Sequence, residues 1–331
     1  MIQERGLTLP RYSSLLGPAI GRFLEHKRAL GIIYMTQAQQ LANFDRFLSG
    51  RLDPAKLVIS EELVREWHAQ WSDQKMITRK GRLSVIRQLC QFLVVEEPRT
   101  FVPPVRFLGI GNSHYAPRIL TRHEAKRFLE VALSLRPGRL SPLRGKVHGT
   151  FLAMLYLTGL RRGEGMGLTL SDVQLESGVL RIRRAKFGKD RLVPITQDVA
   201  LMLQRLRSTI AQKFGPRWPS APFFCGPFGG RVGDQCIRRS FWEILEKAGI
   251  PRFDLGKSLR IHDLRHAFAV HRLLRWYEAG ADVTNKLPQL AVYMGHLHLE
   301  SSQRYLHLTE EFAAEITRRH GERFGHLIKA E

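Results

Sequence analysis

The sequence predicts a mainly α-helical protein with a small β-sheet or hairpin, divided into two domains. Three observations carry this expectation. The first hundred residues place apolar side chains at three-to-four spacing, the period of a helix with one face on a core. Residues 97–117, with Pro98, Pro103, Pro104, Gly109, Gly111 and Pro117, then break the pattern. Beyond them helical periods resume, interrupted by two short runs of strand character. A chain of 331 residues is long enough for two domains of ordinary size. The boundary falls at residue 117. A helical domain occupies 1–117, with a linker from about residue 97, and a mixed domain occupies 118–331.

The expected helices of the first domain cover residues 15–30, 36–48, 61–71 and 78–95. Ser60 stands where a hydroxyl can accept a bond from a free first-turn N–H, and Glu61 and Glu62 follow in the positive first turn. The fourth helix carries Arg79, Lys80, Arg82 and Arg87 on its polar face. Such a face can lie along phosphates, and by itself it is equally a solvated surface. In the second domain Thr121-Arg122-His123-Glu124 has the capping-box pattern ahead of a helix at 122–135. Further helices are expected at 143–158, 195–213, 234–248 and 262–278. Residues 178–184 and 191–195 read as two strands about a turn at Phe187-Gly188-Lys189. Alternation puts Leu180 and Ile182 on the core side, with Arg181 and Arg183 opposite.

Composition narrows the function. There are 52 Lys+Arg against 30 Asp+Glu, a formal net charge of +22. The excess is spread out: 17 basic and 10 acidic residues in 1–120, 35 and 20 in the rest. Both halves are therefore expected to face one polyanion, double-stranded nucleic acid before all. No apolar run approaches the ~20 residues of a membrane span, and the N-terminus lacks the apolar core of a signal peptide. Three cysteines, Cys90, Cys225 and Cys236, form no CxxC pair and so no disulfide framework or zinc knuckle. A soluble cytoplasmic protein is expected. GxxxxGK[ST], GxGxxG after a strand, GxSxG and HExxH are all missing. Acidic residues do not cluster as a two-metal nuclease requires. His262, His266, His271 and His296 lack an accompanying cysteine or carboxylate set, so no metal is expected.

What the second domain does contain is an ordered series of basic and hydroxylic residues. Arg161 lies in Thr158-Gly159-Leu160-Arg161-Arg162-Gly163-Glu164, at the end of an apolar helix and three residues before Glu164 on the expected helical face. Lys186 lies in the hairpin region, and His262-Asp263-Leu264-Arg265-His266 opens a helix. Gly295-His296 follows a short apolar helix, and Tyr305 comes nine residues later. Two arginines, a lysine, two histidines and a tyrosine suit one task. They can clamp a phosphodiester, offset its transition-state charge and move protons without a metal. A tyrosine hydroxyl can attack phosphorus. Tyr156 and Tyr293 sit in apolar runs and read as core; Tyr277 is the positional rival to Tyr305, but it precedes the Gly-His pair.

These boxes resemble those of the tyrosine recombinases, the phage-integrase family, across the overall plan and the whole second domain. The family's TGLR-x-x-E motif corresponds to Thr158 through Glu164. Its K-x-R-x-V-P-[LI] run corresponds to Lys189-Asp190-Arg191-Leu192-Val193-Pro194-Ile195 and puts the catalytic lysine at Lys186. The turn reads Lys-Phe-Gly-Lys where the family often has Lys-Gly-x-Lys, so Lys189 stays an alternative. The H-x-L-R-H box supplies His262 and Arg265, the G-H box His296, and Tyr305 follows at the family's spacing. The resemblance implies a helical core-binding domain and a mixed α/β catalytic domain that together clasp DNA. It implies that Arg161, Arg265 and His296 hold the scissile phosphate, and that Lys186 protonates the leaving 5′ oxygen. It makes His262 the proton acceptor for Tyr305, or its orienting partner, and Glu164 and His266 supporting residues. Arg79, Lys80, Arg82, Arg87, Arg181, Arg183 and Lys189 are expected to touch DNA. The product of cleavage is a 3′-phosphotyrosine, which conserves bond energy, so no cofactor is implied. Strands exchange through a Holliday junction in a tetramer of this chain, or one shared with a related recombinase, and members serve mobile elements. Residues 309–328, with helical spacing, dock either on their own domain or on a neighbouring protomer. The alternatives are strand relaxation of the type IB topoisomerase kind, a DNA-binding protein that does not cleave, and a metal-dependent nuclease.

Overall fold

The computed structural model describes residues 10–32, 34–54, 57–109, 117–138, 141–183, 190–254 and 256–295. The chain divides into two compact units, Met1–Tyr115 and Ala116–Glu331.

The first unit is built from helices α1 (Gly17–Ala29), α2 (Met35–Leu48), α3 (Glu61–Ala69) and α4 (Met76–Leu93). Their apolar stripes meet in one core around Phe23, Leu41, Phe44, Trp67, Ile86 and Leu89. Ser60 caps α3, its hydroxyl accepting from the Leu63 N–H at 3.3 Å. The buried carboxylate of Asp45 orders the approach to α1, accepting from the Ser13 N–H at 2.6 Å and the Ser14 hydroxyl at 2.5 Å. Those bonds offset the cost of taking the charge out of water. The stretch expected to be linker from residue 97 differs from that expectation over its first half. The Phe101 N–H donates to the Ile59 carbonyl at 2.8 Å, and the Phe101 and Phe107 rings pack 5.6 Å apart against the core. Arg87 donates to the carbonyls of Pro103 and Pro104. Prolines remove donors but leave carbonyls, and here a helix arginine takes both. Residues 97–109 therefore belong to the helical unit, and 110–116 lie outside the described residues.

The second unit begins with α5 (Arg122–Leu133), opened by the expected capping box: Glu124 N–H to Thr121 Oγ1 at 3.1 Å, and Thr121 N–H to Glu124 Oε2 at 2.9 Å. It continues with α6 (Arg144–Thr158) and α7 (Arg162–Gly167), then an antiparallel sheet of β1 (Val173–Gln174), β2 (Val179–Ile182) and β3 (Arg191–Pro194) in that order. Helices α8 (Gln197–Phe214) and α9 (Asp234–Lys247) follow, then a small hairpin, β4 (Phe253–Asp254) and β5 (Lys257–Ser258). Helices α10 (Asp263–Glu278) and α11 (Val283–Met294) complete the described part. This is the mainly helical, small-sheet architecture that the sequence predicts.

Helix α6 is its axis. Val147 and Phe151 through Leu155 are all buried, because α5, α8, α9 and α10 pack around it. In the sheet Leu180 pairs with Val193, both fully buried, while Arg181 pairs with Leu192 on the outer face. Close approach of α5 to α6 requires Gly149, where a Cβ would fall on the carbonyl oxygen of Ala132. Gly149→Ala should therefore cost about 3 kcal/mol or more, as backbone clashes cannot relax by rotamer change. Urea unfolding checks this, and a loss under about 1 kcal/mol would show that the helices can separate freely.

Candidate active site

The site grows from the end of α6. The helix stops at Thr158, and after two residues Arg161 becomes the N-cap of α7. Arg161 and Glu164 are thus joined by a helix start rather than by a shared helical face, which corrects the expected arrangement. The Arg161 backbone N–H donates to Glu164 Oε2 at 2.9 Å, and its Nη1 donates to Oε1 at 2.8 Å. Glu164 lies where an N3 carboxylate satisfies an orphan first-turn donor. Arg191, on β3, reaches the same carboxylate with both arms: Nη1 to Oε1 at 2.9 Å and Nη2 to Oε2 at 2.8 Å. Burial pushes the Glu164 carboxyl up, but the Arg191 fork and the Arg161 bonds outweigh it and hold the group down at about 2.

A second cluster of bonds gathers at the C-terminus of α11. A helix end leaves carbonyls without intrahelical partners and carries the negative end of the helix dipole. Three consecutive carbonyls there accept from three arginines of three different elements. Arg191 Nε donates to Tyr293 O at 3.2 Å, Arg265 Nη2 to Met294 O at 2.6 Å, and Arg161 Nη2 to Gly295 O at 2.8 Å. Arg265 also donates through Nη1 to Gly159 O at 2.6 Å, tying the TGLR turn to the same point. Gly295 closes α11 with φ of +67°, and a Cβ there would stand 2.8 Å from Arg191 Nη1. Only glycine satisfies both demands.

His262 is the N-cap of α10, one turn before Arg265. Burial pushes its imidazole down to about 4, and the positive charges of Arg265, Arg260, Arg161 and Arg162 act in the same direction. The ring is therefore neutral at pH 7 and able to accept a proton. His266 meets it edge to face, centroids 4.9 Å apart. The structure thus brings together Arg161, Glu164, His262, Arg265 and His266. Lys186, Lys189, His296 and Tyr305 lie outside the described residues, although Gly295 ends at the arginine cluster. His271 stands apart, bonded to the Tyr156 hydroxyl at 2.8 Å and the Leu120 carbonyl at 2.9 Å. No group of His, Cys, Asp or Glu among the described residues could hold a metal ion.

The residue that sequence reasoning missed is Arg191. It stands inside the K-x-R-x-V-P run, which served only to locate Lys186. Of the described basic residues expected on DNA, Arg79, Arg82, Arg87, Arg181 and Arg183 have partners within their own units. Arg79 Nη2 lies 3.1 Å from His68 Nδ1, Arg82 stacks 3.7 Å over the Trp71 ring, and Lys80 is half-buried between them in sequence. On the sheet, Arg181 pairs with Asp190 at 3.4 Å and Arg183 with Asp172 at 2.5 Å, both arginines half-exposed.

The phage integrase family matches residues 118–311. A Sinorhizobium fredii protein named as the integrase/recombinase y4rB is 31% identical over 303 residues, 91% of this chain and 95% of the relative. Tyrosine recombinase XerD of Vibrio cholerae serotype O1 is 32% identical over 266 residues, 78% of this chain and 80% of the relative. Among solved structures, the Tn1549 transposon integrase in complex with transposon right end DNA superimposes with a TM-score of 0.62 at 17% identity, covering 93% of this chain and 99% of that one. The class so defined is that of enzymes that cleave and rejoin DNA. The chain belongs to the phage integrase family, the tyrosine recombinases. Among the described residues no helix is long and apolar enough to cross a membrane.

The depressed value of His262 has a measurable consequence. Its folded value of about 4 lies below the unfolded 6.5, so the unfolded chain binds the proton first. The stability held by neutral His262 is complete above about pH 6.5 and falls as pH drops towards 4. Nitrogen-15 chemical shifts of the imidazole should titrate with a midpoint near 4 in the DNA-free protein. A midpoint at the ordinary histidine value would mean that the ring is solvated and unaffected by the arginines.

Proposed function

We propose that this chain recombines DNA at a specific site through a covalent bond to Tyr305. His262, neutral among arginines, accepts the phenol proton as the Tyr305 oxygen attacks the scissile phosphorus. Arg161, Arg265 and His296 hold the non-bridging oxygens as their charge grows. Lys186 gives its proton to the departing 5′ oxygen, leaving a 3′-phosphotyrosine and a free 5′ hydroxyl. That hydroxyl, or one from a partner strand, attacks the phosphotyrosine, and the tyrosine leaves with its proton restored. Bonds broken equal bonds made, so no cofactor is consumed.

The observation that carries this reading is the triple arginine cap on α11. It links the TGLR and H-x-L-R-H boxes and the glycine of the G-H box by direct hydrogen bonds, which supports a reading in which Arg161 and Arg265 act on one phosphate. Exchange by a tetramer through a Holliday junction, and service to a mobile element, rest on family membership and on likeness to a transposon integrase. Relaxation of supercoils without a specific site is not favoured by these matches.

The test is recovery of the covalent intermediate. Wild type and Tyr305→Phe are expressed in a host carrying the native flanking DNA, the lysate is denatured, and protein-linked DNA is mapped. An adduct on Tyr305 that vanishes in the variant is expected, and its DNA ends mark the crossover site. Adduct on Tyr277 instead would overturn the assignment, and binding without any adduct would favour a non-cleaving protein. Arg161→Gln should slow adduct formation by about 10²-fold or more, as loss of one transition-state donor does elsewhere.

Affinity for the mapped site should also be strongly salt-dependent, because both halves of the chain carry excess positive charge. A loss of about 10³-fold between 50 and 200 mM salt is expected in a binding titration. A flat response would mean that phosphate contacts are few.

A further inference from the structure

We infer that Arg191 is a positioning residue for strand cleavage: it holds the Glu164 carboxylate and the α11 C-terminus in one register, and thereby fixes Arg161 and the Gly295-His296 peptide. The inference rests on the proposed cleavage reading.

Arg191 is not itself disposed to hold DNA. Nε, Nη1 and Nη2 each donate to a protein acceptor. The two arms on Glu164 form a parallel fork of the kind only a guanidinium can make, while Nε reaches a different element. One planar group therefore spans β3, α7 and α11. The cations bonded to the Glu164 carboxylate are Arg161 and Arg191. With both present, Glu164 shares its two oxygens, and Arg161 extends its other arm to Gly295. Without Arg191 the buried carboxylate would have one cation left to satisfy it. It would draw the Arg161 guanidinium towards itself and away from Gly295. The α11 end would lose one of its three caps at the same moment, at Tyr293, three residues before His296. Arg191 also begins the strand that follows the Lys186 turn, five residues on in the chain. The same side chain therefore anchors the returning arm of the hairpin to the arginine cluster.

The experiment measures cleavage and binding separately on a duplex carrying the crossover site mapped from the wild-type adduct. Arg191→Gln, Glu164→Gln, the double variant and Arg191→Lys are compared in the full-length protein. Arg191→Gln should bind the duplex within about threefold of wild type, yet form the Tyr305 adduct at least about tenfold more slowly. Glu164→Gln should show a comparable defect, and the double variant should be no worse than the slower single variant by more than about threefold. Arg191→Lys, with charge but no fork, should fall between wild type and Arg191→Gln. Multiplicative defects in the double variant would overturn the inference, because the two residues would then act independently. Parallel loss of affinity, melting temperature and rate would overturn it too, showing a role in folding alone. Should Arg191→Gln not fold, Arg191→Lys combined with Glu164→Gln gives the same cycle. Absence of any adduct in wild type, with binding intact, would instead remove the cleavage reading and this inference with it.

Discussion

The C-terminus of α11 is the point on which the catalytic unit closes. Its last carbonyls are orphans of helix geometry, and they carry the negative end of the dipole. Arginines from β3, α7 and α10 converge on Tyr293, Met294 and Gly295, and each bond joins segments far apart in the chain. Arg265 extends the connection to Gly159, so that the turn leading into Arg161 is held by the same side chain. Removing any one element would leave buried guanidinium donors or carbonyls without partners, which costs more than the bond itself contributes. The site is therefore a condition of the fold as much as a product of it.

The choice of acceptors has an electrostatic consequence. Two of the three cations, Arg161 and Arg191, share the Glu164 carboxylate, and all three donate to backbone carbonyls with partial charge. Full ion pairs would have cancelled the field. Partial charges satisfy the guanidinium hydrogen bonds and leave a net positive centre, as an anionic phosphate requires. The two partners of Glu164 differ in exposure: Arg161 keeps a quarter of its side chain accessible, while Arg191 at 14% is more enclosed, and Arg265 is buried. Two arginines that look alike in sequence thus have different surroundings.

Much of this was legible in the sequence, and the exceptions have physical reasons. Helical periods, the Thr121 capping box and the alternation around Leu180 and Ile182 report burial directly, and burial is local to each element. Arg161, His262 and Arg265 stood out because their boxes are short and contiguous. Helix α7 did not, since six residues with three glycines carry no readable period. Its absence led to placing Arg161 and Glu164 on one helical face instead of across a helix start. The role of Arg191 is not legible in the sequence, because its partners lie 27 and 102 residues away. A bidentate fork is a property of two side chains in space, and spacing along one strand does not encode it. The packing of the proline-rich stretch from residue 97 is likewise not legible, since prolines mark irregular backbone without saying whether that backbone is packed.

The crowding of cations finally links binding to chemistry. His262 holds its proton weakly because it is buried and because four arginines surround it. On the proposed reading, a phosphate held by Arg161 and Arg265 brings negative charge towards the same ring. By Coulomb's law it must raise the proton affinity of His262, and do so most where water has been excluded. An imidazole that is a poor proton acceptor in the free protein thus becomes a better one when DNA arrives. On that reading, the same arginines that draw the polyanion keep His262 a weak base in its absence.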